Sequence, residues 1–147
     1  MPGHPRRTAC NPAPHTSPER CEPMSVYRPQ FQSCIEKCQA CAQACDACCM
    51  HGIAAGNAML AARARDCAAI CRLAEALLAG SSDFSGRACA ICQDVCRSVV
   101  DACAGLEAES CRECAHACLL CAAECQRMLA ALEHGADRKP TGGPYAG

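Results

Sequence analysis

The sequence predicts an all-α protein: one antiparallel, up-down-up-down four-helix bundle with a cysteine-lined core. Three observations support this prediction. Seventeen of the 19 cysteines lie between Cys34 and Cys125, most of them at alternating steps of three and four residues. All nine prolines lie outside residues 30–139, and a helix interior does not tolerate proline. Six glycines within that segment divide it into four pieces, which predicts short loops between four helices.

The first helix is predicted over residues 30–51. Because an α-helix has about 3.6 residues per turn, cysteines at steps of four and three residues align along one face. Ser33 and Glu36 match the S-x-x-E pattern of a helix N-terminus, and Pro29 offers an alternative start. The predicted inner face consists of Phe31, Cys34, Cys38, Cys41, Cys45 and Cys48, with Cys49 just beside it.

The second and third helices are predicted over residues 57–79 and 86–104. The second helix contributes fewer thiols, and its predicted inner face is Leu60, Ala64, Cys67, Cys71, Ala74 and Leu78. The third helix carries a cysteine row that a valine interrupts, and its predicted inner face is Cys89, Cys92, Cys96, Val99 and Cys103. Abundant alanine favours helix in both segments and permits a close approach of neighbouring backbones.

The fourth helix is predicted over residues 110–134. Ser110 and Glu113 form a second S-x-x-E pattern, and Gly105 ends the preceding helix just before it. The predicted inner row is Cys111, Cys114, Cys118, Cys121 and Cys125, continued by Met128 and Leu132.

Antiparallel order determines which residues share an end of the bundle. One end gathers an apolar plug that we expect to be closed: Phe31, Leu78, Met128 and Leu132. The opposite end gathers softer donors, and we expect metal to enter there: Cys48, Cys49, His51, Met59, Cys103 and Cys111. His51 and Met59 are candidate metal ligands. The competing interpretations are a helix-terminal residue interacting with the dipole for His51 and simple packing for Met59.

Three regions follow from this organisation. Residues 1–28 form a proline-rich extension that we expect to be disordered, and Cys10 and Cys21 lie in it. Residues 29–134 form the cysteine-lined bundle, and residues 135–147 form a flexible tail.

Composition excludes several function classes. A net charge of −1 offers no broad basic surface for nucleic acid or membrane, and only four aromatic residues are available for stacking. No stretch approaches the roughly 18 apolar residues of a membrane span. An odd number of cysteines fits reduced thiols in a reducing compartment, and Arg6 and Arg7 precede no apolar export segment, so we expect a cytoplasmic protein. A redox enzyme would use one C-x-x-C motif in an α/β setting, so we expect no enzyme.

The thiol rows point to a soft metal ion, and Cu(I) fits best. Pairs of sulfurs one turn apart suit linear Cu(I) coordination, and thiolates that each bridge two ions would give on the order of fifteen to twenty ions per chain. One Cu⁺ per thiolate also leaves the core close to neutral, whereas Zn²⁺ at that occupancy does not. The alternatives are a multi-cluster iron–sulfur protein, whose usual ferredoxin run of cysteines is absent, or a zinc-binding helical protein.

Four segments resemble the cysteine-rich four-helix-bundle copper storage proteins. They are CIEKCQACAQACDACC (Cys34 to Cys49), CAAICRLAEALL (Cys67 to Leu78), CAICQDVC (Cys89 to Cys96) and CRECAHACLLCAAECQRM (Cys111 to Met128). The resemblance implies a homotetramer of bundles, each of which loads many Cu(I) ions through one open end, and it implies that the seventeen bundle cysteines are the ligands. The family includes cytosolic and exported members. Because this sequence lacks an apolar export segment, it resembles the cytosolic branch more.

This chain departs from the family pattern at three places. Val99 interrupts the third row, Ser110 stands where a histidine is expected beside the first cysteine of the fourth helix, and the N-terminal extension adds two cysteines. The cysteine rows and the family resemblance together predict a store or detoxifying sink for Cu(I) in copper homeostasis. We expect a copper chaperone or a small-molecule thiol donor to serve it.

Overall fold

A computed structural model describes residues 29–138 as four antiparallel helices. A 3₁₀ turn, Pro29–Phe31, leads into α1 (Gln32–Ala54), which is followed by α2 (Ala58–Ala79), α3 (Ser85–Cys103) and α4 (Glu109–Arg138). Helix α1 packs against α2 and α4, and α3 packs against the same two helices, so α1 and α3 face each other across the diagonal. The predicted four-helix bundle is confirmed. No helix within residues 29–138 is both long and apolar enough to cross a membrane.

The predicted inner faces are confirmed for all four helices. Sixteen of the seventeen bundle cysteines are buried, and only Cys49 is partly exposed. The core contains few large side chains, and those that are almost wholly buried are Phe31, Leu60, Leu78, Val99 and Met128. The apolar plug is smaller than expected, because Leu132 is only partly buried. Cysteine thus fills most of the positions that leucine fills in an ordinary bundle.

Gly52 does not end the first helix, contrary to the prediction. Helix α1 continues to Ala54, and the reversal falls at Gly56, whose φ of 73° suits glycine. Gly52 is instead buried where α1 crosses α2: a Cβ there would lie 2.9 Å from the backbone nitrogen of Ala61. The glycine is required for close helix packing and not for a turn.

The starts of the helices also differ from the predicted caps. Ser33 lies inside α1, and Glu36 accepts a 2.9 Å hydrogen bond from Gln32, because the chain already turns at Pro29–Phe31. The carbonyl of Ala108 accepts the first backbone hydrogen bonds of α4, so Ser110 lies within the first turn. The S-x-x-E interpretation of Ser110 is wrong, and at Ser33 the alternative start at Pro29 is the correct one. Asn57 caps the start of α2, where its side chain accepts a 3.0 Å hydrogen bond from the amide of Leu60.

Helix α4 runs four residues beyond its predicted end. It includes Gly135 and reaches Arg138, two residues before Pro140. A helix tolerates a single glycine at a cost of about 1 kcal/mol, so glycine alone did not mark the end. The predicted extension over residues 1–28, with Cys10 and Cys21, and most of the predicted tail lie outside the described residues.

Candidate metal centre

The sixteen buried cysteines line the axis of the bundle and form what we call the thiol tube. Neighbouring Sγ atoms along it lie 3.5 Å to 4.0 Å apart. These separations exceed the S–S bond of a disulfide, about 2.05 Å, and all the described cysteines are free. A metal ion with bonds of roughly 2.3 Å to sulfur can sit between sulfurs at such distances.

Sulfurs from all four helices meet at the middle of the tube. The Sγ atom of Cys41 in α1 lies 3.9 Å from Cys67 in α2, 3.8 Å from Cys96 in α3 and 3.6 Å from Cys118 in α4. The heptad pattern brings each of these residues to the axis, and the small cysteine side chain lets the four helices approach closely. The lumen is therefore narrow enough for opposite walls to share one ion.

The tube contains several overlapping groups of sulfurs that could each hold a metal ion. Within each group all Sγ atoms lie within 4.8 Å of one another: Cys38, Cys92, Cys121 and Cys125; Cys41, Cys67, Cys71 and Cys96; Cys41, Cys45, Cys67 and Cys118; Cys71, Cys92, Cys96 and Cys121; and Cys34, Cys89 and Cys125. Several sulfurs belong to two groups. Overlap of this kind favours bridging thiolates over a series of separate four-thiolate sites.

The two ends of the tube differ. Near the plug, Cys34 lies 3.9 Å from Cys125, and Phe31 and Met128 are 2% and 0% exposed. At the opposite end, which we call the mouth, α1 ends and α4 begins, and Cys48 lies 3.8 Å from Cys103. Cys103 is 5% exposed, whereas the other fifteen cysteines of the tube are 0% exposed. Solvent therefore comes nearest to the thiols at Cys103.

The predicted residues of the mouth do not all face the tube. Cys48, Cys103 and Cys111 do, whereas Met59 is 53% exposed and the inner position beside it belongs to Leu60. His51 is partly buried at the end of α1. The sequence interpretation also passed over Leu106, which packs against the core from the loop between α3 and α4. The sequence feature that could have indicated this contact is a single large apolar residue in a short loop, next to Gly105.

Cys49 opens onto the outside of the bundle. Its side chain helps to line a cavity of about 390 Å³ between α1 and α2, together with Gly52, Ala61 and Arg65. The sequence placed this residue just beside the inner row, and the structure confirms that position. Cys49 thus lies at the wall of the thiol tube and not within it.

No charged group reaches the thiol tube from the described helices. Among the residues whose side chains the structure describes, the buried polar one is Ser85, whose hydroxyl donates to the carbonyl of Leu77 at 3.1 Å. Burial raises the pKa of Cys48 and raises the pKa of Cys103 to about 11, because a thiolate loses its hydration there. Without metal, Cys48 and Cys103 are therefore protonated near neutral pH. Metal binding must release those protons.

Comparison with known proteins identifies the family. The family model described as copper storage protein matches residues 27–130, which include every cysteine of the thiol tube. The chain belongs to the copper storage protein family. The resemblance seen in its cysteine segments is thereby confirmed.

Solved copper storage proteins share this fold. The Cu(I)-bound copper storage protein BsCsp3 is 31% identical, with a TM-score of 0.65 over 68% of this chain and 98% of that one. Apo copper storage protein 3 from Bacillus subtilis is 32% identical, with a TM-score of 0.63 over 67% and 98% of the two chains. A cytosolic copper storage protein from Streptomyces lividans, solved during copper loading with five coppers, is 34% identical, with a TM-score of 0.63 over 72% and 97%.

A curated relative shares part of this pattern. The uncharacterized cysteine-rich protein YhjQ of Bacillus subtilis (strain 168) is 36% identical over 66 residues. The aligned region is 45% of this chain and spans 61% of that relative's length.

Proposed function

We propose that this protein binds and stores many Cu(I) ions in its thiol tube, for copper homeostasis. The observation that carries the proposal is the set of overlapping sulfur groups described above, in which twelve of the sixteen buried cysteines, drawn from all four helices, lie close enough to share ions. A protein that needed one structural metal ion would need only one such group. Membership of the copper storage protein family and the copper-bound relatives support the same function.

The charge of the ion favours Cu(I) over zinc. Each thiolate that replaces a thiol adds one negative charge to a core without buried cations among the described residues. One Cu⁺ per thiolate restores neutrality, whereas one Zn²⁺ per thiolate leaves a large buried positive charge. Thiolates also suit Cu(I) as soft ligands. An iron–sulfur protein or a zinc protein gives no comparable reason for sixteen buried cysteines in one core.

The proposed ligands are the sixteen cysteines of the tube, with Cys49 as a further ligand at its wall. His51 and Met59 remain proposed ligands on the approach to the mouth, where a histidine nitrogen or a thioether could hold an ion briefly. Their exposure supports a role in transfer more than one in storage, since Met59 is 53% exposed.

The cellular setting is part of the proposal. We infer a cytoplasmic homotetramer without catalytic activity that receives copper from a chaperone or a small-molecule thiol. Free thiols throughout the described residues and a cytosolic Streptomyces relative support the compartment. A store and a detoxifying sink would use the same tube, and both fit these features.

An anaerobic titration of the reduced protein with Cu(I) against a competing chelator tests the function. We expect saturation at roughly fifteen to twenty ions per chain. Replacing the five cysteines of α4 with alanine should lower the capacity by roughly five to ten ions, and replacing Cys10 and Cys21 should leave it nearly unchanged. Circular dichroism checks that the α4 variant remains helical. A wild-type capacity of one to a few ions, or an unchanged capacity in the α4 variant, would contradict storage in the tube.

A further inference from the structure

We propose that Leu106 is an apolar gate at the mouth of the thiol tube, which admits Cu(I) handed over by a thiolate and excludes aquated divalent cations. The inference rests on the proposed storage function and concerns which metal ions pass through the mouth. It follows from how each side of the mouth is closed.

Helices α1 and α2 close one side of the mouth. Gly52 occupies the inner position that follows Cys48, and its close approach to the backbone of Ala61 leaves no space for a side chain. Leu60, at the start of α2, is 0% exposed and fills the inner position opposite. These two residues leave little space between α1 and α2 at this end of the tube.

The loop between α3 and α4 covers the other side. Cys103 is the last residue of α3 and the one cysteine of the tube with measurable exposure, 5%. Three residues later, the amide of Leu106 donates a 3.0 Å hydrogen bond to the carbonyl of Cys103, and the Leu106 side chain packs against the core. Gly105, with φ of 82°, permits the turn that folds the leucine back. Leu106 therefore lies beside Cys103, the cysteine of the tube that solvent reaches most nearly.

An apolar constriction selects by hydration. An aquated divalent cation would have to shed its water beside Leu60 and Leu106, and none of the carboxylates in the described residues is buried there to replace that water. Cu(I) on a carrier thiolate needs no free aquated state. The bond from carrier sulfur to copper breaks as the Cys103 sulfur binds copper, and the Cys103 proton passes to the leaving carrier thiolate. The exchange leaves both charge and oxidation state unchanged.

Two substitutions at Leu106 should move the exchange rates in opposite directions. Stopped-flow mixing of copper-loaded protein with excess Cu(I) chelator measures release, and Co²⁺ added to reduced apoprotein measures divalent uptake through its thiolate absorption. We expect Leu106→Ala to speed both processes by roughly tenfold and Leu106→Phe to slow copper release by a similar factor. The matched control is Leu129→Ala, since Leu129 is also partly buried against the core but lies near the plug. It should leave the rates unchanged.

The outcomes separate the gate from the storage function. Equal copper capacities with the expected order of rates support the gate. Equal rates in the wild type and both Leu106 variants, at full capacity, would overturn it, as would an equal acceleration in Leu129→Ala. A wild-type capacity of only a few ions would contradict storage instead. The Co²⁺ comparison still tests the gate in that case, because it depends only on access to the thiols.

Discussion

The sulfur atoms of Cys48 and Cys103 lie 3.8 Å apart and join the two diagonal helices, α1 and α3, across the mouth of the tube. Both thiols are buried, and burial raises the pKa of each. The pair connects the acid–base chemistry of the mouth to the stability of the empty bundle, because a buried thiol resists the loss of its proton more strongly than the same thiol in the unfolded chain.

The stability of the apoprotein should therefore fall at high pH. The pKa of Cys103 rises from its ordinary value of 9.0 to about 11 in the folded protein. The unfolded chain releases this proton first as the pH rises, so the stabilisation is complete below pH 9 and is lost between pH 9 and 11. We expect a loss on the order of 2 kcal/mol from this thiol. Urea unfolding under argon at several pH values measures it.

Cys103→Ala provides the control for this pH dependence. The variant should show a smaller fall in the free energy of unfolding over the same pH range. Loading with copper should also reduce the fall, because a bound thiolate carries no proton to lose. A wild-type stability that rises between pH 9 and 11 would contradict the assigned pKa direction.

Cys41→Ala should reduce copper capacity more than Cys49→Ala does. Cys41 belongs to two of the overlapping sulfur groups, whereas Cys49 lies at the outer wall of the tube. We expect a loss of about two ions for the first variant and at most about one for the second. Native mass spectrometry of anaerobically loaded protein counts the bound ions. Equal losses in the two variants would show that position in the tube does not determine capacity.

Gly52→Ala should destabilise the bundle. The added Cβ would lie 2.9 Å from the backbone nitrogen of Ala61, so α1 and α2 would have to separate. We expect a loss of about 1–3 kcal/mol, measured by urea unfolding of the apoprotein. Gly86→Ala is the matched control, because its Cβ would lie 3.7 Å from Leu132 and would meet no backbone atom. That substitution should stabilise α3 by about 0.5–1 kcal/mol, and a destabilisation of equal size would remove the argument from close packing.

Asn57→Ala should lower stability through the loss of the α2 cap. The Asn57 side chain accepts a hydrogen bond from the amide of Leu60, which would otherwise lack a partner in the first turn. We expect a loss of about 1 kcal/mol in the free energy of unfolding, calculated from the midpoint of urea unfolding. Asn57→Asp keeps an acceptor at the same place and should retain most of the stability. A similar loss in both variants would point to a role other than capping.

Much of the fold and of the site could be predicted from the spacing of the cysteines. Steps of three and four residues define one face of a helix, so Cys34 and Cys121 could be placed in the core before the structure was known. The overlapping sulfur groups followed from the antiparallel order of the helices. These features depend on periodicity, which a single sequence records directly.

Features that depend on contacts between helices could not be predicted in this way. Gly52 resembled a helix end because a glycine that breaks a helix and one that packs against a neighbour have the same local signature. Ser33 and Ser110 matched a capping pattern, but the preceding residues already began their helices. Met59 was expected at the mouth but is 53% exposed, whereas the inward position of its neighbour Leu60 was predicted correctly.

The plug at the far end determines the order in which the protein can be emptied. Phe31, Leu78 and Met128 leave Cys34 without a short path to water. An ion bound there must pass from sulfur to sulfur along the whole axis before it leaves, whereas an ion beside Cys103 needs a single step. The last copper to arrive should therefore be the first to depart. A nearly full protein then has ions ready for quick withdrawal, and its deepest ions form a reserve that leaves slowly.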